Sequence, residues 1–285
     1  MSILLTALLL FFFVPSGVDR ITVAQADADV AGLSKALTPK VTFRRNVASA
    51  TRAPWVDSNG WRYLRQPDGH FYCDAPGAAA ADLAAAEAFA YDVPVKIRTD
   101  AAGSESLAKM LAFLRTAKDG DYSPLVNIGF VDDGSAESGE FMNLLVRRNL
   151  LFKVVKQPDP KLDLNVVPGS AQYPKSEAAN PSLLAEKVRA NLTDAKRLLR
   201  LYGSEVVMGR LVGHGGDVRL YLINYGVARS PANGVRIRIL GAFHKQEAMQ
   251  FDVPETKLID VAVDSGATEF TLPELKTFAI INLSK

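Results

Sequence analysis

Residues Asn127 to Val155 read NIGFVDDGSAESGEFMNLLVRRNLLFKVV, and the pattern of this stretch decides the fold. An apolar run from Leu125 to Val131 stops at Asp132, Asp133, Gly134 and Ser135. Beyond that turn Phe141, Leu144, Leu145 and Arg148 recur at the spacing of one helical face, with Met142 beside them. Asn149 closes the segment ahead of a second apolar run, Leu151 to Val155. Strand, polar turn, helix and strand form a βαβ unit, the crossover that parallel strands require. Ligands of parallel sheets gather outside the carboxyl ends of strands, where Asp132, Asp133 and Ser135 fall.

The flanking sequence extends the same alternation. Pro76 to Ala90 predicts a helix, with Pro in its first turn, alanines throughout, and Leu83, Glu87 and Ala90 on one face. Val93 to Ile97 predicts a strand ending in Arg98-Thr99-Asp100, and a helix with Leu107, Leu111 and Leu114 begins at Gly103 or Ser104. Lys161 to Val167 alternates like a strand. Asn180-Pro181 then opens a helix carrying Leu184, Val188 and Leu192, with Asn180 as its cap. From Ala78 to Leu192 the chain predicts one small α/β layer. After Tyr202 the period becomes two. Seven short strands begin near Glu205, Asp217, Gly234, Ala248, Lys257, Thr268 and Thr277, each with one polar face, and predict an antiparallel sandwich. The expected fold class is therefore α/β plus all-β, a small parallel-sheet domain (53–200) followed by an Ig-like β-sandwich (201–285).

The amino end has another character. Ile3 to Val14 is an apolar run shorter than a membrane span, and Ala24-Gln25-Ala26 supplies a small-x-small cleavage pattern, although no Lys or Arg precedes the run. The expectation is a leader over residues 1–26, cleaved after Ala26, a secreted or periplasmic protein, and no later segment suited to a bilayer. Residues 27–52 predict a linker or arm holding one short strand, Lys40 to Arg44. In 285 residues the chain has one cysteine, Cys73, so no internal disulfide can form. The alanine runs Ala78 to Ala81 and Ala84 to Ala86 suggest a bacterial source. A net charge of +2, with basic residues scattered along the chain, gives no electrostatic footprint for nucleic acid.

Catalytic patterns are few. There is no G-x-S-x-G elbow, and Gly213-His214-Gly215-Gly216 sits between alternating strands, where it predicts a hairpin turn. His70, His214 and His244 lack metal-ligand spacing, and neither nucleotide-binding glycine fingerprint occurs, so no metal and no cofactor are expected. Four carboxylates remain as catalytic candidates, Asp100, Asp132, Asp133 and Glu140. A pair of them held about 5 to 9 Å apart could hydrolyse a glycosidic bond. The plainer reading is that such aspartates cap helices and form turns. Ala53 to Pro76, APWVDSNGWRYLRQPDGHFYCDAP, gathers both tryptophans with Tyr63, Phe71 and Tyr72. These aromatics either plug the α/β core or offer a stacking surface to sugar rings. Trp55, Asp57, Trp61, Arg98, Asp132 and Ser135 are the candidate binding residues.

The order of these pieces resembles the carboxyl-terminal part of large secreted bacterial glycoside hydrolases. In that family a glutamine-amidotransferase-like α/β module and a small β-sandwich follow a catalytic (β/α)8 barrel. Asn127 to Val155 is similar to the first strand, helix and second strand of the module. ATEFTLPELKTFAIINL, Ala267 to Leu283, is similar to the closing strands of the sandwich, and LAAAEAFAYDVPVKIRTD, Leu83 to Asp100, looks like a barrel's last helix and strand. Amidotransferases carry a nucleophilic cysteine in a G-x-C-x-G elbow; here Cys73 lies before the α/β unit and outside any such elbow, so that chemistry is not implied. The chain is also too short for a whole barrel with both modules. The resemblance implies an exported carbohydrate-associated protein that binds or scaffolds without catalysis. A glycoside hydrolase with paired carboxylates and a structural oligomerisation module are the alternatives, with carbohydrate or further copies of the chain as partners.

Overall fold

The computed structural model describes residues 17–42, 54–117 and 120–285. The apolar run Ile3 to Val14 lies outside them, as does the end of the strand expected over Lys40 to Arg44, of which Lys40–Thr42 is seen. Five α-helices are present among the described residues: α1 (Gly60–Arg65), α2 (Ala78–Tyr91), α3 (Ala101–Leu114), α4 (Ala136–Arg147) and α5 (Pro181–Leu192).

The single α/β layer expected from the sequence is two parallel sheets. The first orders its strands Ile21–Val23, Val95–Arg98, Phe71–Asp74, Ser34–Ala36, and the second Leu164–Val166, Ile128–Val131, Phe152–Val155. The chain itself separates them. After α3 it pairs Ser123 and Pro124 against Gly213 and Val212 of the sandwich before entering Ile128, so the second sheet starts from the sandwich rather than from the first sheet.

Within the quoted stretch, Phe141, Met142, Leu144 and Leu145 are fully buried, as their helical spacing predicts. Asn149 ends α4 at φ 54°, a left-handed position that asparagine tolerates. Its side chain accepts from the Gly209 amide at 2.7 Å and donates to the Val207 carbonyl at 3.4 Å, tying the helix end to the sandwich.

The sandwich has a five-stranded sheet, ordered Lys245–Gln250, Phe278–Ser284, Asp217–Asn224, Val207–His214, Ser123–Pro124. Facing it is a four-stranded sheet, Leu199–Tyr202, Ala232–Leu240, Ala267–Leu275, Ile259–Asp264. Leu220, Leu222, Ala279 and Ile281 pack inward against Val235, Ile237 and Phe270. The polar face expected on these strands is not exposed on Asp217–Asn224 and Phe278–Ser284, two inner strands of the five-stranded sheet. Tyr221, Ile223, Phe278 and Ile280 belong to the α/β core, and Phe89 of α2 meets Tyr221 and Phe278 at 5.6 and 6.4 Å between ring centroids. Helices cover the second face, so the alternation in sequence marks two different cores rather than core and water.

The arm expected over residues 27–52 contributes Ser34–Ala36 to the first sheet, parallel to Phe71–Cys73. Ile21–Val23, inside the stretch expected to be cleaved, is also a strand of that sheet, in parallel register with Val95–Ile97. Val18, Ile21 and Ala24 are buried there.

Candidate functional site

Asp132 and Asp133 leave the carboxyl end of Ile128–Val131, as the βαβ pattern places them. Arg65, at the end of α1, donates to both Asp132 oxygens, Nε at 2.9 Å and Nη2 at 2.7 Å, and the Gly134 amide adds a third bond at 3.0 Å. Side-chain exposures of 19% for Arg65 and 11% for Asp132 leave little water to compete with this fork. Asp133 turns the other way. It accepts from the Ser135 amide, the Ser135 hydroxyl and the Ser138 hydroxyl, and pairs with Lys175 at 2.6 Å. Lys175 first, then the two serine hydroxyls, hold its carboxyl well below the usual carboxylate range. Ser135 caps α4 by accepting from the Ser138 amide at 3.2 Å.

Asp100 ends a strand of the other parallel sheet. It caps α3 through the Gly103 amide at 2.8 Å and also accepts from the Gly77 amide at 3.1 Å. This earlier cap is why α3 begins at Ala101 rather than at Gly103 or Ser104. Arg98 donates to Asp74 at 2.7 Å and also pairs with Asp27, while Lys35 holds the other Asp74 oxygen at 2.9 Å. Asp74 is depressed accordingly, by Arg98 and then Lys35. Glu140 lies half-buried on α4, within electrostatic reach of Arg62.

The tryptophans sit on the α1 side of the second sheet. Trp55 is 8% exposed beneath the Arg147 guanidinium, 3.9 Å from the ring centre. Trp61 is half-buried, with Arg62 at 4.3 Å and Arg65 at 5.3 Å from its ring centre. A Cβ at Gly139 would come within 3.0 Å of the Trp61 ring, so the glycine lets α4 approach. Asp57 accepts from the Thr42 hydroxyl at 3.2 Å in the two-stranded ribbon that carries Trp55. The structure thus brings Trp61, Asp132 and Ser135 together around Arg65, whose Nη2 also donates to the Ser135 carbonyl at 3.1 Å. Asp100 and Arg98 belong to a different sheet.

One polar centre lies outside these candidates. Glu87 of α2 is completely buried; its Oε1 accepts from the Ser58 hydroxyl, the Asn59 amide and the Tyr225 hydroxyl at 2.7, 2.7 and 2.6 Å, and its Oε2 from Asn59 Nδ2 at 2.8 Å. Burial raises this carboxyl above its ordinary range, against the pull of those donors. Asn59 passes the connection to Leu37, whose amide it accepts at 2.8 Å. Arm, tryptophan segment, α2 and sandwich therefore meet on one carboxylate. The signal in sequence is an acidic residue on the Leu83–Ala90 face of an alanine-rich helix.

No family model and no curated protein matches the sequence. Solved structures do resemble it. Alpha-L-fucosidase isoenzyme 2 from Paenibacillus thiaminolyticus aligns with a TM-score of 0.61 at 10% identity, over 79% of this chain and 62% of the fucosidase chain. A rhamnosidase from Novosphingobium sp. PP1Y aligns at 0.45 and 10% identity, over 88% of this chain and 34% of its own. A beta-galactosidase from Bacillus circulans sp. alkalophilus gives 0.43 and 9%, over 79% and 61%. The chain spans less than two thirds of the length of each. At such identities the likeness concerns fold alone, and the fucosidase comparison carries it: over the aligned part this chain shares that structure's mixed α/β and β-rich fold.

Proposed function

We propose that this chain is an exported, non-catalytic carbohydrate-associated protein that binds or scaffolds, with α4 and the second parallel sheet as an amidotransferase-like module and the following sheets as an Ig-like sandwich. The observation that carries the non-catalytic part is the employment of three of the four candidate carboxylates. Asp132 is clamped by Arg65, Asp133 is spent on the α4 cap and Lys175, and Asp100 caps α3 in another sheet. A general acid needs a raised pKa and a nucleophile an open approach; Asp133 has the opposite shift and Asp132 is enclosed. The fold likeness to glycoside hydrolases supports the carbohydrate part.

The test is electrophoresis of the full chain through gels cast with neutral polysaccharides, together with Trp61→Ala. Retarded migration in at least one gel, lessened in the variant, is the expected result. Unretarded migration in every gel overturns the reading.

A further inference from the structure

Where the helices meet the sandwich, a cavity of about 370 Å³ opens between α2, α3 and the turns of the sandwich. Asp82 of α2 forms part of its wall. It is only 5% exposed, and its Oδ2 accepts from Ser106 of α3 at 2.8 Å. Its Oδ1 is buried and has no hydrogen-bond donor among the described residues. Carboxylate oxygens are seldom left this way, because a buried acceptor without a donor costs about 1 to 3 kcal/mol. Desolvation accordingly pushes the Asp82 carboxyl up to about 6.

The remaining wall defines what fits. Lys109 reaches it from α3, where Glu105 holds its ammonium at 2.8 Å, and Lys276 from the turn before Phe278, its ammonium donating to the Asp252 carbonyl at 3.0 Å. The Asp252 carboxylate and the Thr277 side chain complete the polar side, and Phe251 supplies an apolar one. The lining itself mixes two carboxylates with two lysines, a wall that favours neither a free anion nor a free cation. A wall of alternating acceptors and donors beside an aromatic surface suits a neutral molecule with many hydroxyls, each able to donate and accept. The volume lies in the range of small-ligand sites, and junctions between layers are where such sites concentrate.

We propose that this seam cavity binds one neutral sugar residue, one of whose hydroxyls donates to Asp82 while others engage Lys109, Lys276 and Asp252. The site rests on the carbohydrate reading and gives it a location distinct from the Trp61–Arg65–Asp132 cluster. Removing the acceptor charge weakens binding without harming the fold, because Asp82→Asn keeps the side-chain shape and relieves a buried charge.

The experiment is calorimetric titration of the full chain with D-galactose, L-fucose, L-rhamnose and D-glucose, with glucuronate and glucosamine as charged controls. The titrations are repeated on Asp82→Asn and on Lys276→Ala. The expected result is saturable binding of at least one neutral sugar, weakened tenfold or more by Asp82→Asn and by Lys276→Ala, with both variants unfolding cooperatively. A sugar that binds equally well to Asp82→Asn and Lys276→Ala overturns the seam site and leaves the carbohydrate reading standing. Tighter binding of glucuronate or glucosamine than of any neutral sugar overturns the assigned ligand class. No binding of any monosaccharide, while polysaccharide gels still retard the chain, also overturns the seam site alone; failure in both formats removes the carbohydrate reading with it.

Discussion

Arg65 and Asp132 show most clearly how a residue pair decides between readings. A bidentate guanidinium–carboxylate fork with little water around it is costly to break on one side, since the remaining charge stays buried. Arg65→Ala is expected to lower unfolding stability by about 2 to 3 kcal/mol, read as a reduced urea midpoint at unchanged slope; a loss within error would show that the fork contributes nothing. Asp82 gives a second residue-scale prediction, this time in pH. Its folded pKa is raised, so its contribution is intact below the unfolded value near 3.8 and is lost as pH rises through about 6. Asp82→Asn should therefore be more stable than the parent at pH 7.5 by about 1 to 2 kcal/mol, with the gain shrinking toward pH 4. A gain independent of pH would contradict this assignment. Of these residues the sequence discloses identity but not employment. Asp132 and Asp133 are adjacent and chemically alike, yet one faces Arg65, sixty-seven positions earlier, and the other Lys175, and no local pattern distinguishes them.

At the level of elements, what is legible depends on how far the composition changes around the element. In α4 Phe141, Leu144 and Leu145 recur among Ser138, Glu140 and Asn143, so spacing advertises the helix although Phe141 to Val146 are all buried, and α5 is announced by its Asn180 cap, which accepts from the Leu183 amide at 3.4 Å. Buried on nearly every side, α2 has alanines all round and hides Glu87 and Asp82 among them. The strand Asp217–Asn224 misleads in a different way, since Arg219 and Tyr221 alternate with leucines yet are 3% and 6% exposed, Arg219 against the Tyr122 ring and Tyr221 against Phe89 of α2. Two of the short strands escape notice. Ile21–Val23 falls in a stretch whose composition suggests a leader, and Ser34–Ala36 in one that suggests an arm, because three residues carry no period. The pairing of Ile21–Val23 with Val95–Ile97 has a measurable consequence. The amides of Val95 and Ala24 bond the carbonyls of Arg20 and Ile97, and Val18 and Ile21 are buried. A chain beginning at Asp27 should unfold about 2 to 4 kcal/mol more easily than one beginning at Gly17, from the lost apolar burial alone. Equal urea midpoints for the two would show that this strand adds nothing to the sheet.

On the scale of the whole molecule, two parallel sheets and a sandwich are held as one body by groups that belong to more than one of them. Glu87 gathers Ser58, Asn59 and Tyr225, Asn149 clasps the sandwich backbone, and Phe89 lies against Tyr221 and Phe278. The seam cavity lies between these layers, while Asp100, Asp132 and Asp133 are taken up by caps, turns and ion pairs. Association with carbohydrate without its hydrolysis is the central claim. It is tested most directly by one proton NMR experiment, in which the full chain is held with a panel of neutral glycosides while saturation transfer and the anomeric signals are followed together. The account predicts transfer from protein to at least one glycoside with its anomeric signals constant in time. Steady appearance of a new reducing-end anomeric signal, or transfer to none of the glycosides, would contradict it.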